Sequence, residues 1–502
     1  MKNAIKIGGY AWLALLLLPY PIFANNIQVS EVQLTGTNLA NQYTQVAFDL
    51  SWENSWRLSI GPANWDAAWV FVKFRTNNSP WQHATINYVN GTASADGHLA
   101  PSGSNINTVS DGKGAFIYRS ADGTGDNDWQ DIQLRWNYGT DGVGNQSVLE
   151  VKVFAVEMVY VPQGAYPLGG GSGSEIGKLY QFAGLGQDNP YPVSSENPIP
   201  LGLNPGDLFY LAPSPWLIGD QLGPIPAAFP KGYDAFYCMK YEVSQAQWID
   251  FFNLLTPAQK INNDLTDIAH RGPNPIDRNE ILWEGSGGAT TSNPDVPVSF
   301  PLWGEVLAYC DWAGLRPMTE LEFVKACRGP QPPVANAYAW GSANIINNSF
   351  TYDLIYDGAS NEKLLNPVSN TGNANWINSS IFEDGPYRSG IFAASNTPAR
   401  EDVGATYYGI MEMSGNLSEM VINIGTPEGR SFQGTHGDGF LNAAGEANTT
   451  SWPLISGIGG GLMGGSWFSP AEQLQINDRS AAAQANAGYF NDVGFRCVRT
   501  AP

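Results

Sequence analysis

Cysteine, histidine and carboxylate side chains are the groups of this chain best suited to redox or metal chemistry. The 502-residue sequence has four cysteines, which are Cys238, Cys310, Cys327 and Cys497, and four widely separated histidines. No two histidines have the spacing by which one helix face holds zinc or iron. If the chain is exported, four cysteines predict two disulfides, with three possible pairings. Thiols also attract soft metals such as Cu(I).

The N-terminal residues predict a secretory signal peptide over residues 1–24. Lys2 and Lys6 precede an apolar run, and Ala24 is a small residue before the expected cleavage site. The run is too short to cross a bilayer as a helix, so we expect no membrane span. We expect an exported protein that is extracellular, at the cell surface or in the periplasm. The formal charge of −21 disfavours nucleic acid as a partner.

Residues 25–155 have the alternating pattern of an all-β domain. Val46, Phe48, Leu50 and Trp52 alternate with polar neighbours, which predicts a strand with one buried face. The run over residues 69–74 is apolar on both faces and predicts a central strand. Stretches rich in Gly, Asn and Asp separate such runs, so the sequence predicts an antiparallel β-sandwich of about seven to nine strands.

Residues 156–502 contain little regular periodicity but clear signals for three helices. Apolar residues recur at helical spacing from Trp303 to Cys310. Thr319 and Glu322 have the spacing of a capping box, which predicts the start of a second helix. A further helix is predicted over residues 245–253. The long stretches rich in Gly, Pro and Asn predict ordered loops between these elements.

Six segments in this second region occur in the order typical of one known family. They are FYCMKYEVSQAQW (236–248), the segment from Pro297 to Gly329, AWG (339–341), YGIMEMSGNLSEM (408–420), GGSW (464–467) and GFRCV (494–498). Together they resemble the formylglycine-generating enzyme, or sulfatase-modifying factor, family over about residues 158–499. The resemblance implies an α+β fold, a variant of the C-type-lectin-like architecture with much irregular structure, preceded here by the all-β sandwich.

The resemblance also implies where copper and disulfides would lie. Oxidase members of the family hold copper with two cysteines just after GGSW, and the corresponding positions here are Ser469 and Leu474. A hydroxyl and an alkyl group are poor ligands for Cu(I), which argues against copper and against the oxidase reaction. The family pattern pairs Cys310 with Cys497. We then expect Cys238 to pair with Cys327, with two buried free thiols as the alternative.

Calcium is the cofactor that the resemblance implies. A first site would use the side chains of Glu412 and Glu419 and the carbonyl groups of Gly415 and Leu417, since calcium prefers hard oxygen ligands. The family's usual aspartate is Glu412 here, and its tryptophan is Ser418. The alternative is two solvated loop acids. A second site would use Asn375, the carbonyl group of Trp376, Asp384 and the carbonyl group of Pro386.

The pocket implied by the resemblance includes Ser466, Trp467 and Arg479 beside Ser469 and Leu474. Arg479 and Arg496 either bind an anion or peptide or, as we prefer, tie irregular backbone through their donors. We therefore predict a non-catalytic binding or structural protein that presents loops to a protein, peptide or glycan. One alternative is an oxidase or another oxidoreductase at the same pocket. The other is a subunit of a surface layer or filament, and the sequence leaves the oligomeric state open.

Overall fold

The computed structural model describes residues 26–92, 97–184, 189–271, 276–347, 349–377, 385–394, 399–453, 455–484 and 488–502. The predicted signal peptide and Asp384 lie outside these ranges. The fold is mixed α/β with a low helix content. In the ranges described, no helix is both long and apolar enough to cross a bilayer.

The elements are numbered in chain order. The strands are β1 (Gln28–Asn38), β2 (Tyr43–Arg57), β3 (Asp66–Thr76), β4 (Gln82–His83), β5 (Ser104–Thr108), β6 (Ala115–Arg119), β7 (Gly123–Trp136), β8 (Leu149–Val161), β9 (Tyr166–Leu168), β10 (Tyr180–Gln181), β11 (Tyr191–Val193), β12 (Leu208–Phe209), β13 (Phe236–Met239), β14 (Arg316–Pro317), β15 (Leu354–Ile355), β16 (Lys363–Leu364), β17 (Ser418–Ile422), β18 (Gly460–Met463), β19 (Val493–Gly494) and β20 (Cys497–Thr500). The helices are α1 (Pro215–Ile218), α2 (Gln245–Leu254), α3 (Pro257–Ile261), α4 (Ile268–Arg271), α5 (Trp303–Trp312), α6 (Glu320–Arg328) and α7 (Pro427–Arg430). Two short 3-10 helices cover Ile391–Ala394 and Ala471–Leu474.

The N-terminal region is rich in strands, as its alternating pattern predicts. Strands β1, β2 and β7 form a three-stranded sheet, and β3, β5, β6 and β8 belong to a second, eight-stranded sheet. Phe48 and Trp52 of β2 pack in one apolar core with Val70 and Phe74 of β3. Strand β3 lies between β8 and β6, which confirms the predicted central strand.

Strand β8 joins this region to the rest of the chain. It pairs with β3 from Leu149 to Val159 and with β13 from Met158 to Val161. The eight-stranded sheet then continues through β20 to β14. The predicted boundary between residues 155 and 156 therefore falls inside one continuous strand. The division into two domains stays a prediction.

The three predicted helices are present as α2, α5 and α6. The capping box of α6 is formed in both directions, because Thr319 Oγ1 accepts from the Glu322 N–H at 3.1 Å and Glu322 Oε2 accepts from the Thr319 N–H at 3.0 Å. The helix ends at Arg328, and Gly329 follows it with a φ of 63°, in the left-handed region that glycine tolerates. These helices pack on the same large core as β8, β13 and β20.

All four cysteines lie in that large core and are fully buried. They are thiols in the structure. The sulfur atoms of Cys310 and Cys497 are 2.6 Å apart. Cys327 contacts the sulfur of Met413 at 4.0 Å. Neither Cys327 nor Cys238 is in a disulfide in the structure, and both are buried, as in the alternative with two free thiols. The Cys310–Cys497 pairing that the family pattern implies and the Cys238–Cys327 pairing expected of the other two cysteines both stay predictions.

Candidate functional site

The segment GGSW follows one edge of a small sheet. Strand β17 pairs antiparallel with β18 and parallel with β19, with Glu419 opposite Met463 and Ser418 opposite Val493. Strands β17 and β19 therefore begin, and β18 ends, at the same edge. Gly464 follows β18 directly, so the chain leaves the sheet at this point.

Gly464 and Gly465 make the turn that GGSW requires. Their φ angles are 87° and 62°, in the left-handed region that disfavours other residues. Space is also restricted, because a β-carbon on Gly464 would lie 3.0 Å from the Met413 carbonyl oxygen and one on Gly465 would lie 2.7 Å from Leu474 Cδ1. The two glycines thus allow the Met413 backbone and the Leu474 side chain to lie close to the turn, which a side chain at either position would prevent.

A cavity of about 210 Å³ opens at this edge. Its polar lining includes Ser418, Ser469, Asp478, Ser480 and Asp492, and Phe490 contributes an aromatic wall. These residues come from four separate parts of the chain, which the sheet edge and the GGSW turn bring together. None of the four cysteines, all of which the structure describes, lines this cavity.

Hydroxyl groups and a carboxyl group form a network in the wall of the cavity. Ser466 Oγ donates to Asp492 Oδ2 at 2.7 Å and lies 3.0 Å from Ser469 Oγ. Burial raises the pKa of the Asp492 carboxyl, and the hydrogen bond from Ser466 lowers it. A carboxyl group and two hydroxyls can bind a cation or a hydrogen-bond donor.

Asp478 is the second carboxyl group of the cavity. Its Oδ1 accepts from the Ser480 N–H at 3.1 Å, and its Oδ2 accepts from the Ile176 N–H at 3.3 Å. Burial raises its pKa, which the hydrogen bond from the Ser480 hydroxyl opposes. These bonds hold the carboxyl group on the irregular backbone at the cavity wall.

Leu474 occupies a different environment from Ser469. It is fully buried and packs in a cluster with Trp340 and Trp376. Its side chain also lies against Gly465, as the restricted space there indicates. Trp467 is buried, and its indole N–H donates to the Asn491 carbonyl oxygen at 3.3 Å. The two positions at which the family resemblance predicts copper ligands are thus occupied by one cavity hydroxyl and one core alkyl group.

Arg479 binds the protein's own backbone and one glutamate. Its Nε donates to Glu320 Oε2 at 2.6 Å and its Nη1 to the Gly177 carbonyl oxygen at 3.1 Å. The guanidinium also lies over the ring of Tyr210 at 4.2 Å. This geometry is that of an arginine that ties loops together, which is the preferred interpretation of the sequence.

The first predicted calcium site is only partly suited to a cation. Glu412 Oε1 accepts from the Gly390 N–H at 3.0 Å, while its Oε2 is buried and has no hydrogen-bond partner among the residues that the structure describes. Such an atom suits a cation. Glu419, however, gives both carboxylate oxygens to Arg496. Glu412 therefore fits the predicted role, and Glu419 does not in this arrangement.

The second predicted calcium site is described only in part. The Pro386 carbonyl oxygen accepts a hydrogen bond from Arg278, and the Asn375 amide nitrogen donates to the Gly385 carbonyl oxygen at 3.0 Å. Trp376 is buried, and Asp384 lies outside the described residues. Within the described ranges, no group of three or more His, Cys, Asp or Glu residues forms a metal site. Calcium stays a prediction for both sites.

Comparison with known proteins agrees with this arrangement of segments. The sulfatase-modifying factor enzyme 1-like domain matches residues 219–501, which is more than half of the chain. The chain belongs to this family. The formylglycine-generating enzymes of Bos taurus and Mus musculus are each 30% identical to it over 159 residues. That match covers 28% of this chain and 40% of each enzyme, so the chain spans less than half the length of these relatives.

Sequence reasoning missed the two carboxyl groups of this family member's cavity. Only Val493 separates Asp492 from GFRC, and Asp478 directly precedes Arg479. Their closeness to residues already singled out was the available signal. Neither follows a periodic pattern, because both lie on irregular backbone.

Proposed function

We propose that this protein is an exported, non-catalytic binding member of the sulfatase-modifying factor family, and that the cavity lined by Ser469 and Asp492 is its ligand site. The observation that carries the proposal is the chemistry of the wall, where Ser469, Ser466 and Asp492 form a hydroxyl and carboxyl network. Oxygen groups of this kind hold polar ligands through hydrogen bonds and charge. They do not supply the thiolates that Cu(I) prefers.

The positions of the cysteines support the same proposal. Cys238, Cys310, Cys327 and Cys497 are all fully buried in the large core, and burial raises the pKa of the Cys238 thiol to about 12. A thiol of this kind is a poor source of thiolate at neutral pH. An oxidase reaction at this cavity would therefore need sulfur ligands that its wall does not provide.

The test uses a peptide with the motif CxPxR, incubated with the purified protein, copper and O₂ and followed by mass spectrometry. We expect the peptide thiol to remain, whereas the bovine relative, as a positive control, forms the aldehyde. The double variant Ser469→Cys/Leu474→Cys reports whether the scaffold gains copper binding when thiols are restored. Aldehyde formation by the unchanged protein would overturn the proposal.

Binding is tested separately with an array of peptides and glycans on the folded protein. We expect a restricted set of ligands, and we expect the variant Asp492→Asn to lose them while its circular dichroism is unchanged. A protein that binds nothing on either type of array would count against a binding role.

A further inference from the structure

The cavity lined by Ser469 and Asp492 has acidic groups in its wall and no basic group among its described lining residues. Asp478 and Asp492 line it, and none of its described lining residues is a lysine, arginine or histidine. Arg479 follows Asp478 in sequence, but its guanidinium binds Glu320 at 2.6 and 3.1 Å. The hydrogen-bond donors that hold the two carboxyl groups are neutral hydroxyls and backbone N–H groups.

An exposed aromatic side chain forms the apolar rim of the same cavity. Phe490 lines it and is 39% exposed. Its ring offers apolar contact to a molecule that enters the polar cavity.

We propose that this cavity binds one lysine or arginine side chain of a polypeptide, with an apolar residue next to it packing on Phe490. The inference rests on the proposed binding function and gives its ligand class. Pockets that enclose a whole drug-sized ligand are about 300–1,000 Å³, so a cavity of about 210 Å³ suits a single side chain. A neutral sugar would leave the acidic groups without a countercharge. An ammonium or guanidinium group supplies one and can also lie over the ring of Phe490.

The two acidic groups and the rim have separable roles. The carboxyl groups select the charge, because a cation that enters the cavity replaces its hydration with hydrogen bonds to Asp478 and Asp492. The rim contributes apolar contact that does not depend on charge. A ligand that lacks the cation should therefore keep part of its affinity, and one that has an anion should lose it.

The probe is the peptide acetyl-Leu-Lys-Phe-amide, measured by isothermal titration calorimetry with the full protein. The comparison peptides replace lysine by norleucine, which keeps the alkyl chain, and by glutamate. We expect the lysine peptide to bind about tenfold or more tightly than the norleucine peptide, and the glutamate peptide to bind least. Equal affinity for the lysine and norleucine peptides, or no binding of the lysine peptide, would overturn the inference.

Variants locate the binding in the cavity. Asp492→Asn should lower the affinity for the lysine peptide about tenfold. Asp128→Asn removes the same charge from an exposed residue of β7 and should leave this affinity unchanged. Gln473 lines the cavity with an exposed side chain, so Gln473→Lys should weaken binding and Gln473→Glu should strengthen it. If Asp492→Asn fails to fold, this opposite pair still tests the site. Equal effects of the two Gln473 variants would contradict the inference.

The two proposals fail in different ways. Aldehyde formation on a CxPxR peptide would overturn the non-catalytic function whatever the lysine peptide does. Absence of both conversion and lysine preference would overturn only the ligand class.

Discussion

Arg496 and Glu419 are joined by two hydrogen bonds, from Nε to Oε2 at 2.7 Å and from Nη2 to Oε1 at 2.6 Å, and both side chains are buried. The same guanidinium donates to the carbonyl oxygens of Met239, Lys240 and Met411. One side chain thus connects β17 with the end of β13 and with the irregular segment that contains Met411. A buried pair of this kind is costly to break, because the remaining charge loses its partner.

We expect Arg496→Met to lower the free energy of unfolding by about 3–5 kcal/mol, since Glu419 would remain buried without a countercharge. Urea unfolding followed by tryptophan fluorescence measures the loss. The double variant Arg496→Met/Glu419→Leu should recover part of it. The control is Arg75→Met, which breaks the exposed pair with Glu150 and should cost much less, because solvent screens an exposed ion pair. Equal losses at the two arginines would contradict the argument.

The stability of the protein should depend on pH through a buried group of two acids and one lysine. Lys240 Nζ lies 2.6 Å from Glu157 Oε1, and Asp66 accepts from the Trp52 indole N–H at 2.8 Å. Burial raises the pKa of Glu157 from 4.5 to about 7, and it also raises the pKa of Asp66. Burial lowers the pKa of Lys240, but the charges around it, that of Glu157 foremost, together raise it by more. The lysine therefore stays charged throughout this range.

The folded state therefore binds a proton more tightly than the unfolded chain does. The stabilisation from Glu157 is fully present below pH 4.5 and is lost as the pH rises through about 7. We expect the free energy of unfolding to fall between pH 5 and pH 8, and Glu157→Gln to flatten this slope. Urea unfolding at several pH values measures both. A slope that Glu157→Gln leaves unchanged would assign the dependence to other groups.

Chelation tests the predicted calcium ion. Glu412 Oε2 is buried with no hydrogen-bond partner in the described part of the chain, and a bound cation would satisfy it. We expect EDTA to lower the melting temperature by a few degrees and added calcium to restore it, because a ligand that binds only the folded state stabilises it. Glu412→Gln should remove the response to EDTA. An identical melting curve with and without the chelator would reject a structural ion.

Local patterns predicted the regular elements well. The alternation of Val46, Phe48, Leu50 and Trp52 predicts β2, since a strand with one buried face has a period of two. The Thr319 capping box predicts the start of α6, because it is formed within four consecutive residues. Both signals depend only on neighbours in sequence.

Contacts between distant segments were not predictable in the same way. Strand β8 continues across residue 155 because its two neighbours, β3 before it and β13 after it in the chain, offer backbone partners on either side of that residue. A change in composition does not reveal a hydrogen-bond ladder of this kind. The cavity acids Asp478 and Asp492 are likewise brought together by loops that glycine turns and single hydrogen bonds hold in place.

Gly461 provides a last test of how tightly the strand before GGSW is packed. A β-carbon added there would overlap the carbonyl oxygen of Ala482, which is backbone and cannot rotate away. We expect Gly461→Ala to lower the free energy of unfolding by about 1–3 kcal/mol, measured with urea. It should also lower the affinity for the lysine peptide, because β18 leads directly into the cavity. Gly144→Ala is the matched control, since its nearest neighbour would be Ser147 Oγ at 3.7 Å. A Gly461→Ala protein as stable as the control would mean that this strand has room to move.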